Sequence, residues 1–448
     1  MALTRGQMAG WGLADMGVNV FVVVKQLLVF TYLATYLGVP PGVAGLVTFA
    51  VLAFDVVTDP IVGYLSDRSQ SRWGRRAPWI AVGAPLLALS IVAMFAVPEG
   101  MAWQANALWV LVFFAAASVG FTFVAIPYGA MAGEMTQDPR ERSVMMAFRM
   151  TFASFGLLTA GALVPALAGD SRAGYARAVL VVAPVVVVTI WGMLWAVRRA
   201  PRIATPVTEG FGTVLRLVLG NRAFAALVLL YGVLTLGVAL IAAGLQLAAL
   251  YLIGDDGGPL SGVAGALGVF PTLFAAFILG SVASQFPWVR ASARWGKVTA
   301  LMGGLGLYVV VLAGVWASLP ATGVTAMAGL FVLAGVANGA YQQIPWAMYP
   351  DLMDVTRARQ GTAVEGAFSA VWLFGQKVAN ALAPLLLGVI LQAAGWRASA
   401  SGVVAQDGLA LAALRTALTL APAGIFLAGM AGIWLVYRPL ARGVATHR

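Results

Sequence analysis

The sequence predicts an all-α membrane protein with twelve transmembrane helices arranged as two six-helix halves. Of its 448 residues, 61% are hydrophobic and only 10% are charged, whereas soluble proteins are about 45–50% apolar and about 25% charged. Apolar stretches long enough to cross a bilayer recur along the whole chain, and two short motifs recur about half a chain apart. This composition excludes a soluble enzyme, a nucleic-acid-binding module and a disordered scaffold.

Twelve apolar stretches are each long enough to span a membrane. A helix needs about 20 apolar residues to cross the bilayer, and charge clusters and Gly/Pro turns separate such stretches along the chain. The first stretch lacks a small-residue cleavage site, so no cleavable signal peptide is expected. The spans are predicted near residues 11–37, 43–66, 79–98, 103–132, 144–169, 175–198, 222–252, 259–283, 297–318, 322–348, 361–393 and 409–437.

The distribution of basic residues predicts the orientation of these spans. With a cytoplasmic N-terminus, 20 of the 27 Lys and Arg residues fall in inner loops and tails, and the outer loops hold only Arg172, Arg177, Arg397 and Arg415. Cytoplasmic loops of membrane proteins carry an excess of Lys and Arg. We therefore expect both termini in the cytoplasm and a bacterial inner membrane as the location. The basic inner loops account for the net charge of +11, so this charge does not indicate a nucleic-acid partner.

Two motifs recur at nearly the same offset. The sequence SRWGR at 71–75 resembles ARWGK at 293–297, 222 residues later, and Ile-Pro-Tyr at 126–128 is echoed by Ile-Pro-Trp at 344–346, 218 residues later. Two six-helix halves that bind substrate between them at the membrane midplane are the architecture of the major facilitator superfamily. The predicted organisation is an N-terminal half with the cation site, a cytoplasmic linker and a C-terminal half, at 1–198, 199–221 and 222–448.

Few residues are available for enzymatic or metal-cofactor chemistry. The chain has no Cys, and its only His is His447, so thiol nucleophiles, His-based triads and Cys/His metal centres are excluded and no cofactor is expected. A membrane enzyme that uses Ser, Lys or Asp alone and a non-transporting receptor are the remaining alternatives. We expect instead a monomeric transporter of a small molecule, embedded in the lipid bilayer.

Asp55 and Asp59 are the strongest candidates for a cation site. They lie four residues apart in the second span, on one face of a helix. A charge at mid-bilayer costs roughly 2.5–3.5 kcal/mol, and adjacent carboxylates resist joint ionisation unless a cation or proton lies between them. Thr58 adds an oxygen from the neighbouring face. The group predicts a site for a coupling ion, Na⁺ or H⁺; the alternative is a carboxylate that reaches water at the helix end.

Two cations in other spans are candidate substrate ligands. Arg149 lies in the fifth span and Lys377 in the eleventh, so that one side chain from each half could reach a common cavity. The alternative is a purely structural ion pair with Asp15 or Glu365.

The first span carries a polar stripe. On a regular helix, Asp15, Asn19 and Gln26 fall within about 40° of one another, which predicts cavity lining. The alternative is hydrogen bonding that only joins helices. The candidate aromatic platforms for substrate, chosen for their polar or helix-breaking neighbours, are Tyr128, Trp346 and Trp372.

Lys25 lies near the middle of the first span, at a depth similar to that of Asp55 in the second. Its ammonium group is a compact point charge on a flexible stem, so it could occupy the space where sodium would otherwise neutralise Asp55 and Asp59. The alternatives are a lysine that binds water or a backbone carbonyl along a neighbouring helix, and direct contact with an anionic substrate.

A basic segment after the second span is predicted to act in gating. Gly63 is expected to allow close helix packing, and Asp67 and nearby arginines can form a cytoplasmic charge network that holds one conformation. The candidate gating residues are Gly63, Asp67, Arg68, Arg75, Arg76, Arg140 and Arg142.

The stretch from Asp55 to Trp79 resembles the glycoside–pentoside–hexuronide:cation symporter family. It carries the pattern D-x-x-x-D-P-x-x-G followed by S-R-W-G-R-x-x-P-W, and further likenesses extend over nearly the whole chain, at 140–142, 148–151, 350–351, 365–366 and 377. The resemblance implies that Asp55 and Asp59 coordinate the coupling cation with help from Thr122. It also implies that Arg149 and Lys377 line the substrate cavity.

Departures from the family pattern bear on the substrate. Two sugar-binding carboxylates of the family's best-known sugar carrier are matched here by Asn19 and Ala125, and its sugar-stacking Trp by Tyr128 or Gly129. The cavity is therefore predicted to be more positive than in a carrier of neutral galactosides, and lysolipid symporters of the same superfamily look similar. The first expectation is cation-coupled symport of a sugar or glycoside by alternating access. An anionic substrate, either a hexuronide or a lysophospholipid-like amphiphile, is the second.

Overall fold

The computed structural model describes residues 3–136, 138–169, 171–201, 220–255, 257–320, 322–360 and 365–445. Within these ranges, the side chains at 139, 143, 350–351, 353–360, 365–367, 369–370 and 442–445 are not described. The side chain of the predicted partner Glu365 and most of the predicted linker 199–221 are therefore not described.

The described chain is all-helical, as predicted. Eleven helices are long and apolar enough to cross a membrane, and a bent helix pair brings the number to twelve when it is counted as one span. The helices are α1 (Arg5–Tyr36), α2 (Pro41–Arg68), α3 (Ala77–Phe95), α4 (Trp103–Met135), α5 (Arg140–Ala168), α6 (Arg172–Ala196), α7 (Arg222–Tyr251), α8 (Ser261–Leu267), α9 (Val269–Ala283), α10 (Gln285–Trp295), α11 (Lys297–Ser318), α12 (Val324–Gln360), α13 (Glu365–Ala393) and α14 (Gly408–Ala441).

Polar side chains cap several of these helices. At the start of α1, the Gln7 backbone N–H donates to the Thr4 hydroxyl and the Thr4 backbone N–H donates to the Gln7 side chain. Asn221 and Ser171 accept in the same way at the starts of α7 and α6. Each cap satisfies a backbone donor that has no partner inside the helix.

The predicted eighth span, 259–283, is not one straight helix. It consists of α8 and α9, which meet at an angle of 113°. Gly268 at the break has φ +97°, a conformation that residues with a Cβ rarely adopt, and Pro271 follows at the start of α9. The prediction of a continuous helix was wrong here because apolar composition measures the length of a span and not its bend.

The chain divides into two compact units. The first contains the described residues of Met1–Pro206 together with Ala266–Pro271 and Trp396–Gln406, and the second contains the rest. The segments Ala266–Pro271 and Trp396–Gln406 come from the predicted C-terminal half but belong to the first unit. The predicted halves did not include this. Two backbone hydrogen bonds join the second of these segments to the end of α1. The Ser399 N–H donates to the Ala34 carbonyl at 3.0 Å, and the Gly38 N–H donates to the Ser399 carbonyl at 2.7 Å.

Helix packing within the first unit determines which side chains meet. Helix α1 packs against α5 and α6, α2 packs against α4, and α3 packs against α4 and α6. In the second unit, α7 packs against α13 and α14, and α11 packs against α12 and α14. The candidate cation residues therefore lie where α1, α2 and α4 approach one another.

The two copies of the repeated motif share a backbone feature. Gly74 and Gly296, which follow Trp73 and Trp295 in the two Arg-Trp-Gly sequences, have φ +90° and +83°. Each glycine lies just before a helix, α3 in one copy and α11 in the other. The same left-handed turn at matching positions is expected if the two halves arose by duplication.

Candidate cation and substrate sites

The two carboxylates of α2 face two hydroxyls of α4. The Ser118 hydroxyl donates to Asp55 Oδ1, and Thr122 Oγ1 donates to Asp59 Oδ1 at 2.9 Å. Both donors and both acceptors are spaced four residues apart, so one face of α4 matches one face of α2. Ser118 was not predicted from the sequence, although its spacing from Thr122 repeats that of the two aspartates.

Lys25 makes an ion pair with Asp55. Its Nζ donates to Asp55 Oδ2 at 3.2 Å, and only 10% of the lysine side chain and 3% of the aspartate side chain are exposed. The same nitrogen lies 4.4 Å from the ring centre of Phe121 and 5.4 Å from that of Phe21. Of the three alternatives that the sequence left open for Lys25, this geometry matches the one that places its ammonium group against the paired aspartates.

A π-helical turn at Val24–Leu28 interrupts α1 at the position of Lys25. Such turns add a residue to the helix and change the direction of the side chains within it. The predicted stripe from Asp15 to Gln26 assumed regular α-helical spacing, which this turn breaks. Gln26 and Asn19 are both half-buried while Lys25 beside Gln26 is buried, and the place of Gln26 in the stripe stays a prediction.

Thr58 does not turn towards the carboxylate pair. Its hydroxyl donates back to the Phe54 carbonyl of its own helix at 3.2 Å. Among the described residues, no group of three or more His, Cys, Asp or Glu side chains could hold a metal ion. A cation at Asp55 and Asp59 would therefore draw its other oxygens from hydroxyls, backbone carbonyls or water.

Asp15 and Arg149 form a second ion pair in the first unit. Arg149 Nε donates to Asp15 Oδ2 at 2.7 Å, and one third of the arginine side chain is exposed while the aspartate is buried. Asn19 donates from its amide to the Asp15 backbone carbonyl at 2.8 Å. The structure thus contains the Asp15–Arg149 pair that the sequence offered as the structural alternative, and it leaves Asp15 Oδ1 buried without a hydrogen-bond partner.

Two aromatic rings cover this ion pair. Trp11 and Tyr128 stack with their ring centres 4.8 Å apart, and the Arg149 guanidinium lies 5.9 Å and 5.6 Å from the two centres. Trp11 Nε1 and the Tyr128 hydroxyl are buried and have no hydrogen-bond partner. Trp11 was not predicted, although it lies one helical turn before Asp15 in the sequence.

The candidate platforms of the second unit differ in accessibility. Trp372 is fully buried, stacked on Tyr231 at 4.2 Å between ring centres and on Tyr349 at 5.1 Å. Trp346 is 38% exposed and donates from Nε1 to the Tyr231 hydroxyl at 3.1 Å. In this structure Trp346 therefore has a free surface and Trp372 is part of the packed core. Lys377 is half-buried on α13.

The predicted charge network lies at the ends of α2, α3 and α4. Arg76 pairs with Asp67 at 2.8 Å and with Glu134 at 2.7 Å, and Arg75 Nε donates to Glu134 Oε1 at 3.0 Å. Glu134, which was not predicted, holds both arginines from the end of α4. It could have been recognised as the first acidic residue after the predicted fourth span, in a loop that also contains Arg140 and Arg142.

Other predicted gating residues have different surroundings. Arg68 contacts the Tyr64 hydroxyl and ring, Arg142 donates to the Thr136 carbonyl at 3.1 Å, and the Arg140 backbone N–H donates to Asp138 at 2.8 Å. The close-packing reason given for Gly63 is not supported, because a Cβ there would lie 3.5 Å from the Ile126 side chain, an ordinary contact.

Comparison with known proteins identifies the family. Residues 10–439 match the family described as MFS/sugar transport protein. The chain belongs to this family. A putative glycoside/cation symporter of Escherichia coli is 25% identical over 89% of this chain and 85% of that protein. A sodium-dependent lysophosphatidylcholine symporter of Danio rerio is 24% identical over 86% of this chain and 77% of that protein.

Solved structures agree on the fold of this MFS protein. A bacterial homologue of the human lysosomal transporter Spinster, in an inward-facing and unoccupied conformation, superposes with a TM-score of 0.67 at 15% identity, covering 98% of this chain and 96% of that one. The predicted resemblance and the predicted fold class are confirmed. The protein is a multi-pass membrane transporter of the major facilitator type and not an enzyme.

Proposed function

We propose that this transporter carries out cation-coupled symport of a sugar or glycoside by alternating access. The observation that carries the proposal is the Asp15–Arg149 pair beneath the stacked rings of Trp11 and Tyr128. Sugar hydroxyls both donate and accept hydrogen bonds, and sugar rings pack on aromatic side chains. This group offers a partly exposed guanidinium and, buried behind it, a carboxylate oxygen and two aromatic polar groups without partners, which substrate would reach when the helices move in the transport cycle.

The charge balance of this group favours a neutral solute. Asp15 already neutralises Arg149, so that an anionic substrate would have to compete with a buried carboxylate for the guanidinium. A relative named as a glycoside/cation symporter is consistent with this assignment. On the second unit, Lys377 and Trp346 are proposed as further substrate ligands and Trp372 as the support of Trp346, with which it makes an edge contact at 6.0 Å between ring centres.

The coupling ion is proposed to act at Asp55 and Asp59. The hydroxyls of Ser118 and Thr122 orient the two carboxylates, and neighbouring carboxylates resist joint ionisation unless a cation or proton lies near them. The transporter is proposed to work as a monomer with both termini in the cytoplasm, and its charge network at Glu134 to stabilise one conformation of the cycle.

An anionic substrate is the second candidate. It is favoured by the loss of acidic residues at positions 19 and 125, where Asn19 and Ala125 stand, while Arg149 and Lys377 are kept. A relative named as a sodium-dependent lysophosphatidylcholine symporter gives a precedent within the family.

A binding screen with two matched variants distinguishes the candidates. Purified protein is titrated with sugars, glycosides, hexuronides and lysolipids, and the best ligand is repeated with Asp15→Asn and Arg149→Gln. For a neutral sugar, both variants should weaken binding by about 1.5–3 kcal/mol, because each removes a charge-assisted hydrogen bond. For an anion, Asp15→Asn should tighten binding and only Arg149→Gln should weaken it. Normal affinity in both variants, with lowered thermal stability, would mean that the pair is purely structural.

A further inference from the structure

The cation site holds a positive charge that belongs to the protein itself. The Lys25 ammonium lies 3.2 Å from Asp55 Oδ2, while Ser118 occupies Asp55 Oδ1. Both oxygens of this carboxylate therefore have a donor from the protein. A sodium ion bound to Asp55 would have to share the carboxylate with a fixed charge of the same sign, in a region with little water to screen the repulsion.

The surroundings of the Lys25 nitrogen suit an ammonium group better than a metal ion. Phe121 and Phe21 present ring faces at 4.4 Å and 5.4 Å, and such faces attract an organic cation through the ring quadrupole. Sodium, as a hard cation, requires several oxygen ligands, and aromatic carbons supply none. One carboxylate oxygen and two aromatic rings thus form a site matched to a lysine side chain.

The backbone of α1 is adapted to deliver this lysine. Lys25 lies inside the π-helical turn Val24–Leu28, and a second π-helical turn, Thr159–Leu163 in α5, packs against it. A π-helical turn inserts a residue at some loss of hydrogen-bond quality and occurs frequently at functional sites. The irregular backbone, the buried ion pair and the aromatic contacts coincide at one residue of the chain.

We propose that the ammonium group of Lys25 takes the place of a sodium ion at Asp55, so that this transporter works without sodium. The inference rests on the proposed cation site of the symporter and specifies which ion that site rejects. The cation gradient that drives uptake is then one other than sodium. Lys25 is the residue that determines ion specificity, because its removal leaves two carboxylates and two hydroxyls as oxygen ligands for a metal ion.

Thermal unfolding of the purified full-length protein tests this proposal without any substrate. The melting temperature is measured in sodium chloride and in choline chloride at equal ionic strength. The native protein should show no sodium-specific shift. Lys25→Met should gain a rise of roughly 2 °C or more in saturating sodium, because a ligand that binds only the folded state stabilises it. The gain should disappear in Lys25→Met/Asp59→Asn.

Two further variants control for the loss of charge. Lys25→Arg keeps a cation at the site and should show no sodium response. Lys297→Met removes a lysine in the second unit whose Nζ donates to the Ala347 carbonyl, and this variant should not gain a sodium response.

Two results overturn the proposal. One is a sodium-specific rise in the melting temperature of the native protein, and the other is a folded Lys25→Met protein whose melting temperature does not respond to sodium. If folded Lys25→Met protein is obtained only when it is purified in sodium, the proposal is supported. If this variant never folds, the sodium response of the native protein's melting temperature is the test.

The outcome is separable from that of the proposed function. If no sugar, glycoside or anionic solute accumulates under any cation gradient, the symport assignment fails, whatever sodium does to stability. If uptake occurs and the native protein is stabilised by sodium, the symport assignment stands and the role of Lys25 is refuted.

Discussion

The two aspartates of α2 occupy different environments although they share one helix face. Asp55 is held by Lys25 and Ser118, whereas Asp59 accepts from Thr122 at 2.9 Å. The two residues are therefore not equivalent. Asp55 contributes mainly to a fixed ion pair, and Asp59 is the carboxylate that we expect to respond to the coupling ion.

Substitutions of Asp59 and Thr122 should distinguish the effect of the carboxylate's charge from the effect of its orientation by the threonine hydroxyl. Asp59→Asn should abolish concentrative uptake while leaving expression intact, because the coupling site loses a charge. Thr122→Val removes only the hydroxyl donor to a carboxylate, a loss of about 1.5–3 kcal/mol, and should weaken cation activation of uptake roughly tenfold or more. Uptake is measured in proteoliposomes across a range of cation concentrations.

Thr48→Val is the matched control for this experiment. Thr48 is also a buried threonine, on the same helix as Asp59, but its hydroxyl donates to the Ala44 carbonyl of its own helix at 2.9 Å. Cation activation should be unchanged in this variant. Unaltered concentrative uptake by Asp59→Asn would contradict the assignment of the coupling site.

Sequence patterns predicted the charged residues of the site better than their partners. Charges inside apolar spans are rare, so Asp55, Arg149 and Lys25 stood out individually. Ser118 and Trp11 did not, because serine and tryptophan are ordinary residues of transmembrane helices. Only the packing of α2 against α4 brings Ser118 to Asp55, and only the packing of α1 against α4 and α5 brings Trp11 to Tyr128 and Arg149. The pairing of Lys25 with Asp55 was one of three open alternatives for the same reason.

At the scale of elements, the crossing of α1 and α5 positions the candidate substrate group. Gly12 lies directly against the backbone of α5, where an added Cβ would be 2.8 Å from the backbone nitrogen of Arg149. Gly156 makes a similar approach to the Met16 carbonyl. Small residues allow transmembrane helices to approach closely, and this approach brings Asp15 within reach of Arg149.

A pair of glycine substitutions in α1 tests this crossing. Gly12→Ala should lower the free energy of unfolding by about 1–3 kcal/mol through overpacking, and it should weaken substrate binding because α1 and α5 must separate at Arg149. Gly6→Ala introduces the same methyl group where the nearest neighbour is 3.9 Å away, and it should be neutral or slightly stabilising. Melting temperature and ligand affinity are the measurements. Equal effects of the two substitutions would refute the close crossing.

The spans themselves were predictable, whereas their irregularities were not. Apolar length and flanking charges locate a membrane helix, and each of the twelve predicted stretches corresponds to a helix or to the bent pair. The π-helical turn Val24–Leu28 contains residues that are common in α-helices, and the turn Thr159–Leu163 contains Gly161, which weakens a helix but does not specify a π-helical turn. Their hydrogen-bond pattern depends on neighbouring helices, which a periodicity argument does not include.

At the scale of the whole molecule, the charge distribution predicts how the chain lies in the membrane. The charge network of Asp67, Arg75, Arg76 and Glu134 lies at the same end of α2, α3 and α4, in a segment that the excess of basic residues predicts to be cytoplasmic. The loop before α4, with Glu99 exposed, lies at the opposite ends of α3 and α4 and is predicted to face outwards.

The absence of cysteine allows this orientation to be measured directly. The chain contains no Cys, so a single introduced thiol reports its own position and the native protein serves as the unlabelled blank. In intact cells, a membrane-impermeant maleimide should label Glu99→Cys and should not label Ser71→Cys, whose position between α2 and α3 is also exposed. After the membrane is opened, both variants should react. Labelling of Ser71→Cys in intact cells would reverse the predicted topology, because α3 connects the two loops and a single span separates the thiols. The positive-inside assignment of both termini would then be wrong, and the charge network would face the outside.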